Sequence, residues 1–204
     1  MSATKFDLPY DRLNPKDIER YAKDLVGKKF SDLYIPEWDD KKVFGSIGNK
    51  GHLGQYLERF YFMYEPNSSK YPDFLEAGVE LKVPPLKQLK NKELRAKERI
   101  VLSIIDYNTI VEEKWEESSF LHKNNLLLLV FYLHEGGKDR LDFVIRMVTL
   151  WDYDEKDLEI IKQDWHKIVN KIREGKAHEL SERDTLYLGA CPKGANCGST
   201  RKEW

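Results

Sequence analysis

Three charged residues in one short stretch, Asp73, Glu80 and Lys82, have the types and spacing that phosphodiester hydrolysis requires. They lie in Tyr71-Pro72-Asp73-Phe-Leu-Glu-Ala-Gly78-Val-Glu80-Leu-Lys82-Val83. Two carboxylates, Asp73 and Glu80, supply hard oxygen ligands for Mg²⁺, an ion that keeps several waters and takes its remaining ligands from substrate phosphate. Such a metal lowers the pKa of a bound water and offsets charge developing on phosphate oxygens. The main-chain carbonyl of Leu81, between the two charged side chains, could supply a further ligand. Lys82 is placed to orient the attacking water or to stabilise the transition state electrostatically.

The spacing itself predicts how these groups are presented. In a strand over 79–83, Val79, Leu81 and Val83 point to one face while Glu80 and Lys82 point to the other. The apolar set enters a core as the charged pair meets an open site, and Gly78 lets the chain bend so that Asp73 approaches both. The bare pattern is not unique in an acidic chain. Asp106 with Glu112 and Lys114, and Asp164 with Glu174 and Lys176, have similar spacings. The first set lies in a polar acidic stretch and the second straddles a helix end, whereas only Glu80 and Lys82 sit in an alternating strand. The competing reading is an ordinary half-solvated ion pair, worth about 0–1 kcal/mol.

The elements that must position this centre can be traced along the chain. Asn14 and Pro15 start a helix whose apolar face runs through Ile18 and Leu25 to a stop at Gly27. A second helix opens at Lys50-Gly-x-x-Gly54, with Leu53, Tyr56, Leu57 and Phe60 as its stripe and Glu58 off the stripe's centre. Strands are predicted over 79–83, 100–105 and 126–133, the last buried on both faces. Gly136-Gly137 turns the chain into a hairpin partner over 143–150. A long helix spans about 155–173, capped by Asp152 or Asp154 and closed by Lys171 and Arg173 before Gly175. A last short strand is expected over 185–188. With no repeat and no linker, the expected fold class is α/β: one domain over residues 1–204, with a mixed β-sheet flanked by helices.

Composition bounds the partners. The chain has 204 residues, 34 basic against 35 acidic, and a formal net charge of −1, so any attraction to nucleic acid must come from local clustering. Cys191 and Cys197 do not make a disulfide framework, and a reducing, cytoplasmic setting is the simpler reading. The longest greasy run, 126–133, is too short to span a bilayer, so no membrane association is expected.

From Lys50 onward the sequence resembles the MutH family of GATC-directed nicking endonucleases, and more closely the two-domain GATC restriction endonucleases related to it. The resemblance is carried by Lys50-Gly-x-x-Gly54-x-x-x-Glu58, Pro72-Asp73, Gly78-Val-Glu80-Leu-Lys82, Trp115-Glu116 through His122-Lys123, Lys176-Ala-His-Glu-Leu-Ser181 and Lys193-Gly-Ala-Asn196. It implies a restriction-endonuclease-like fold, Mg²⁺ as cofactor, double-stranded DNA as substrate and 5′-GATC as the site. It also implies that Glu58 and Lys123 join Asp73, Glu80 and Lys82 in catalysis, and that Lys50, Lys193 and Asn196 contact DNA. Where the family has an arginine before the Pro-Lys of the late block, this chain has Cys191. Family members also continue beyond the point matching Trp204. The expectation is therefore a catalytic part truncated at its C-terminal end, relying on a C-terminal regulatory domain or a second copy. The alternative function is a non-cleaving DNA-binding or regulatory module of the same fold.

Three further readings concern charge. Lys87, Lys90, Lys92, Arg95, Lys97 and Arg99, set against Glu93 and Glu98, could lie along phosphates or form a solvated loop. Lys123 adds positive charge at the scissile phosphate or merely flanks a sheet. His122 reads better as a surface histidine than as a general base.

Overall fold

The computed structural model describes residues 8–33, 52–66 and 70–190. In chain order its regular elements are α1 (Pro15–Lys23), α2 (His52–Phe60), β1 (Val79–Lys82), β2 (Pro85–Gln88), β3 (Leu94–Ala96), α3 (Tyr107–Ile110), α4 (Ser119–Asn124), β4 (Leu126–Leu133), β5 (Val144–Asp152) and α5 (Glu155–Arg173). They divide into two units, Met1–Leu102 with Lys123–Asp152, and Ser103–His122 with Tyr153–Trp204. No linker composition marks the division, because each unit takes chain from two separate stretches of sequence.

The first unit is built around β4. Its run Leu126–Leu133 is long, aliphatic and buried through the centre, as a strand covered on both faces must be. One edge of β4 pairs along its whole length with antiparallel β5, from Leu126 opposite Asp152 to Leu133 opposite Val144. A strand has only two edges, so β1 and β2 follow one another along the other, both parallel to β4. β3 then adds antiparallel to β2, completing a five-stranded mixed sheet. The core joins α1, α2 and this sheet through Ile18, Ala22, Leu57, Phe62, Val79, Leu128 and Ile145, all essentially inaccessible.

The first helix begins where expected, with Asn14 Oδ1 accepting from Lys16 N–H at 3.0 Å. It stops at Lys23 rather than at Gly27. Asp24, Leu25 and Val26 tighten into three-residue bonds, and the Gly27 amide turns to the Ile145 carbonyl at 2.9 Å. The strand expected over 100–105 is not formed. Val101 and Ile104 are 63% and 71% exposed, and aliphatic composition makes a strand only where neighbours cover it. The β2–β3 hairpin lies instead in the basic stretch just before it.

In the second unit, α5 spans 155–173 with Asp154 as its cap, accepting from Asp157 N–H at 2.7 Å. Trp165 meets Trp115 edge-on at 5.7 Å, and Arg173 reaches the carbonyls of Val111 and Glu113. The strand expected over 185–188 is absent for a definite reason. Asp164, buried in the apolar face of α5, accepts from the amides of Leu186, Tyr187 and Leu188, so this backbone wraps a carboxylate rather than pairing with a strand. No helix of the described residues is long and apolar enough to cross a membrane.

Candidate active site

The first unit draws Asp73, Glu80, Lys82, Glu58 and Lys123 together, starting from β1. Val79 exchanges two backbone bonds with Phe74, of 2.9 and 3.2 Å, on the edge of β1 away from β4. A short turn, Leu75–Ala77, reverses the chain between them and ends on Gly78 at φ 67°, a left-handed conformation that favours glycine. This reversal sets Asp73 beside β1. Its N–H donates to Glu80 Oε2 at 3.1 Å, and its Oδ2 accepts from Leu81 N–H at 2.9 Å. In a strand, the N–H and C=O of one residue leave from the same edge. The Leu81 carbonyl therefore emerges on the Asp73 side and not into the ladder with β4.

Glu80 is only 3% exposed, so its charge must be met inside the protein. Its Oε1 accepts from Lys82 Nζ at 2.8 Å, and Lys123 Nζ stands 3.6 Å away. Lys82 also donates to the Leu102 carbonyl at 2.8 Å, which fixes its ammonium between two acceptors. Lys123 comes from the last turn of α4, where a cation complements the helix dipole. Ser118 starts that helix by accepting from Leu121 N–H at 3.2 Å.

Glu58 enters from α2, nearly buried although it lies off the centre of the apolar stripe. Burial, then the charges of Asp73 and Glu80, push its pKa up to about 8. Burial and Glu80 likewise raise Asp73 to about 7. Gly54, one turn earlier on α2, adjoins the site, since a Cβ there would lie 3.8 Å from Glu58 Oε1. Carboxylates that resist ionising together form a set that a divalent cation would relieve. Among the described residues no group of three or more His, Cys, Asp or Glu side chains could hold a metal ion. A smaller set, the carboxylates of Asp73 and Glu80 with the Leu81 carbonyl, could hold a cation that takes its other ligands from water and phosphate, as Mg²⁺ does.

One residue escaped the sequence reading. Tyr64 follows α2, its N–H donating to the Glu58 carbonyl at 3.0 Å and its ring edge-on to Phe74 at 5.2 Å. Its hydroxyl is buried with no hydrogen-bond partner among the described residues. Burial, and then Asp73 and Glu58, hold its pKa far above the ordinary phenol value. Within the aromatic run Tyr61-Phe-Met-Tyr64 no spacing distinguishes it from core.

The competing triplets do not assemble. Asp106 caps α3, Asp164 holds the 186–188 backbone, and Glu174 pairs with Lys176 in solvent. His122 is exposed. Lys50, Lys193 and Asn196, with Cys191 and Cys197, lie outside the described residues.

Residues 62–164 match the family described as the DNA mismatch repair enzyme MutH, about half of the chain. A DNA mismatch repair protein MutH of Shewanella woodyi is 31% identical over 196 residues, covering 91% of this chain and 79% of that protein. The chain belongs to the MutH family. Its mixed sheet flanked by helices is accordingly the restriction-endonuclease-like fold of that family. The MutH-family resemblance extends to the type II restriction enzyme Sau3AI of Staphylococcus aureus, 41% identical over 193 residues and 94% of this chain. The chain spans 38% of the length of that enzyme.

Proposed function

We propose that this chain is a Mg²⁺-dependent, site-specific endonuclease that hydrolyses phosphodiester bonds of double-stranded DNA. The observation that carries the reading is the buried Glu80 carboxylate, held between Lys82 and Lys123 and bonded through its second oxygen to the Asp73 amide. A similar restriction enzyme and similar mismatch repair proteins support it. The site 5′-GATC, and a cytoplasmic setting, follow from the family resemblance.

Asp73 and Glu80, with the Leu81 carbonyl, would hold the metal. When bound, it offsets charge on the phosphate and lowers the pKa of the attacking water. The protein supplies the remaining geometry. An ammonium has three donors, and two on Lys82 are committed to Glu80 and Leu102. The third is available to a substrate oxygen and is already oriented. Lys123 places a second positive charge at the same carboxylate, where the negative scissile phosphate must enter. Glu58 retains its proton up to about pH 8 before a cation or substrate arrives, so it can release or accept a proton as the site is loaded. Burial of these groups strengthens each interaction by keeping bulk water out.

One such centre cuts one strand, so a double-strand break requires a second copy or a rebinding event. A non-cleaving DNA-binding module would have no physical use for buried carboxylates beside a phosphate path. The test is incubation of the chain with Mg²⁺ and two plasmids, one with GATC sites and one without, beside a Glu80→Ala control. Discrete GATC-dependent nicks or breaks that disappear in the control are expected. A folded protein that binds DNA and leaves both plasmids intact would sink the nuclease reading in favour of the non-cleaving module.

A further inference from the structure

The stretch after the catalytic strand is an ordered hairpin, and its charges are arranged against its own stability. In register, Lys87 stands directly opposite Arg95, a like-charge pairing that disfavours the hairpin. Arg95 is offset by Glu93 at 3.1 Å. Lys87, Lys90, Lys92 and Lys97 are all exposed, and none of their ammonium groups has a hydrogen bond or ion pair with a described residue. Four other lysines of the same unit are paired with carboxylates. Lys16 and Lys23 face Glu19, Lys29 faces Asp142, and Lys138 faces Glu135. Alternation puts Lys87, Arg95 and Lys97 on one face of the hairpin, opposite the buried Leu86. Lys90 and Lys92 occupy the tip, Lys92 at φ 68°, a conformation usually left to glycine or asparagine.

The chain leaves Lys82 into this hairpin and comes back to it afterwards. β2 begins at Pro85, just beyond Lys82, and the returning chain delivers the Leu102 carbonyl to Lys82 Nζ at 2.8 Å. At about 3.3 Å per residue the hairpin reaches roughly 15 Å outward from the site, far enough to follow several phosphates of one strand. We infer that the β2–β3 hairpin is a backbone-binding arm that lays Lys87, Lys90, Lys92 and Lys97 along the phosphates of duplex DNA beside the scissile bond. The inference rests on the nuclease reading above and specifies which surface grips the substrate. It reads no bases, because lysine ammonium groups contact phosphates without sequence information.

The test measures binding of the whole chain to a GATC-containing duplex, with Ca²⁺ in place of Mg²⁺, as salt is raised from roughly 50 to 200 mM. The variant replaces Lys87, Lys90, Lys92 and Lys97 together with glutamine, and a second variant replaces them with arginine. Each neutralised phosphate contributes about 0.9 to the slope of log affinity against log salt, so the glutamine variant should lose about 3–4 from that slope. The loss should be equal on duplexes with and without GATC, the arginine variant should retain the slope, and thermal midpoints should be unchanged or higher. If wild type binds and the glutamine variant shows the same slope, the arm is wrong and the nuclease reading stands. If wild type itself binds no duplex, the nuclease reading falls and the arm falls with it.

Discussion

The main-chain amide of Asp73 donates to Glu80 Oε2 at 3.1 Å, so a residue seven positions earlier fixes one oxygen of the buried carboxylate through its backbone. The Asp73 side chain is thereby left to accept from Leu81 N–H, on the edge of β1 where the Leu81 carbonyl also emerges. The placement of Asp73 against Glu80 and Leu81 is set mainly by chain geometry, and its weak points are residues that shape that geometry.

Gly78→Ala tests this directly. Nothing lies within 4 Å of a Cβ placed there, so the cost comes from its φ of 67° alone. A left-handed alanine costs about 1–2 kcal/mol. We expect a thermal midpoint lower by a few degrees and a larger fall in cleavage, since the reversal carrying Asp73 must relax. Unchanged cleavage with lowered stability would show that the position of Asp73 is set elsewhere.

Lys82→Met should reduce turnover by about 10²–10³-fold, the usual loss for one preorganised electrostatic group. It should also destabilise, because it removes the 2.8 Å partner of a carboxylate that is 4% exposed at its side chain. Adding Glu80→Gln should restore the thermal midpoint and leave turnover lost. A double variant as unstable as Lys82→Met would refute the assignment of the unpaired charge to Glu80.

The metal-free protein should lose stability as pH rises. Glu58 has a folded pKa of about 8 against an ordinary 4.5, and Asp73 about 7 against 3.8. The folded state then binds more protons than the unfolded state through this window. Stability is greatest below the unfolded values and declines toward pH 8 by several kcal/mol, on the order of 4 for Glu58 alone. Denaturant melts from pH 4 to pH 8 in chelator check the slope. Glu58→Gln should lessen it, leaving the part due to Asp73, and saturating Mg²⁺ should reduce it further.

Tyr64→Phe removes a buried hydroxyl that has no described partner and that feels the charges of Asp73 and Glu58. A group buried that way is usually met by an ordered water. If that water helps hold the two carboxylates, the variant keeps its fold, with an equal or higher thermal midpoint, and needs several-fold more Mg²⁺ for half-maximal cleavage. A titration superimposable on wild type would reduce Tyr64 to a core residue.

Much of this was legible in the sequence because it depends on period. Glu80 and Lys82 share a strand face by alternation, β4 is marked by an uninterrupted aliphatic run, and α5 by helical spacing between a capping aspartate and a glycine. The approach of Glu58 and Lys123 came only through resemblance, since no local pattern joins a helix near residue 58 to one near residue 123. The errors over 100–105 and 185–188 have a common cause. Aliphatic runs suggest strands, but the first has nothing to cover it and the second gives its amides to Asp164. Tyr64 was invisible because its meaning lies in a missing partner.

The grip of Asp164 on residues 186–188 bears on how this segment tolerates mutation. A single carboxylate holds it by main-chain amides, while Leu186 and Tyr187 point largely into solvent. At Leu186 side-chain identity is nearly free to drift, with proline barred because it lacks the amide hydrogen, whereas the Tyr187 hydroxyl also meets Asp157. Most of the constraint on this backbone is concentrated at one distant codon, that of Asp164. Among related chains, residues 186–188 should therefore diverge quickly around an aspartate that does not change.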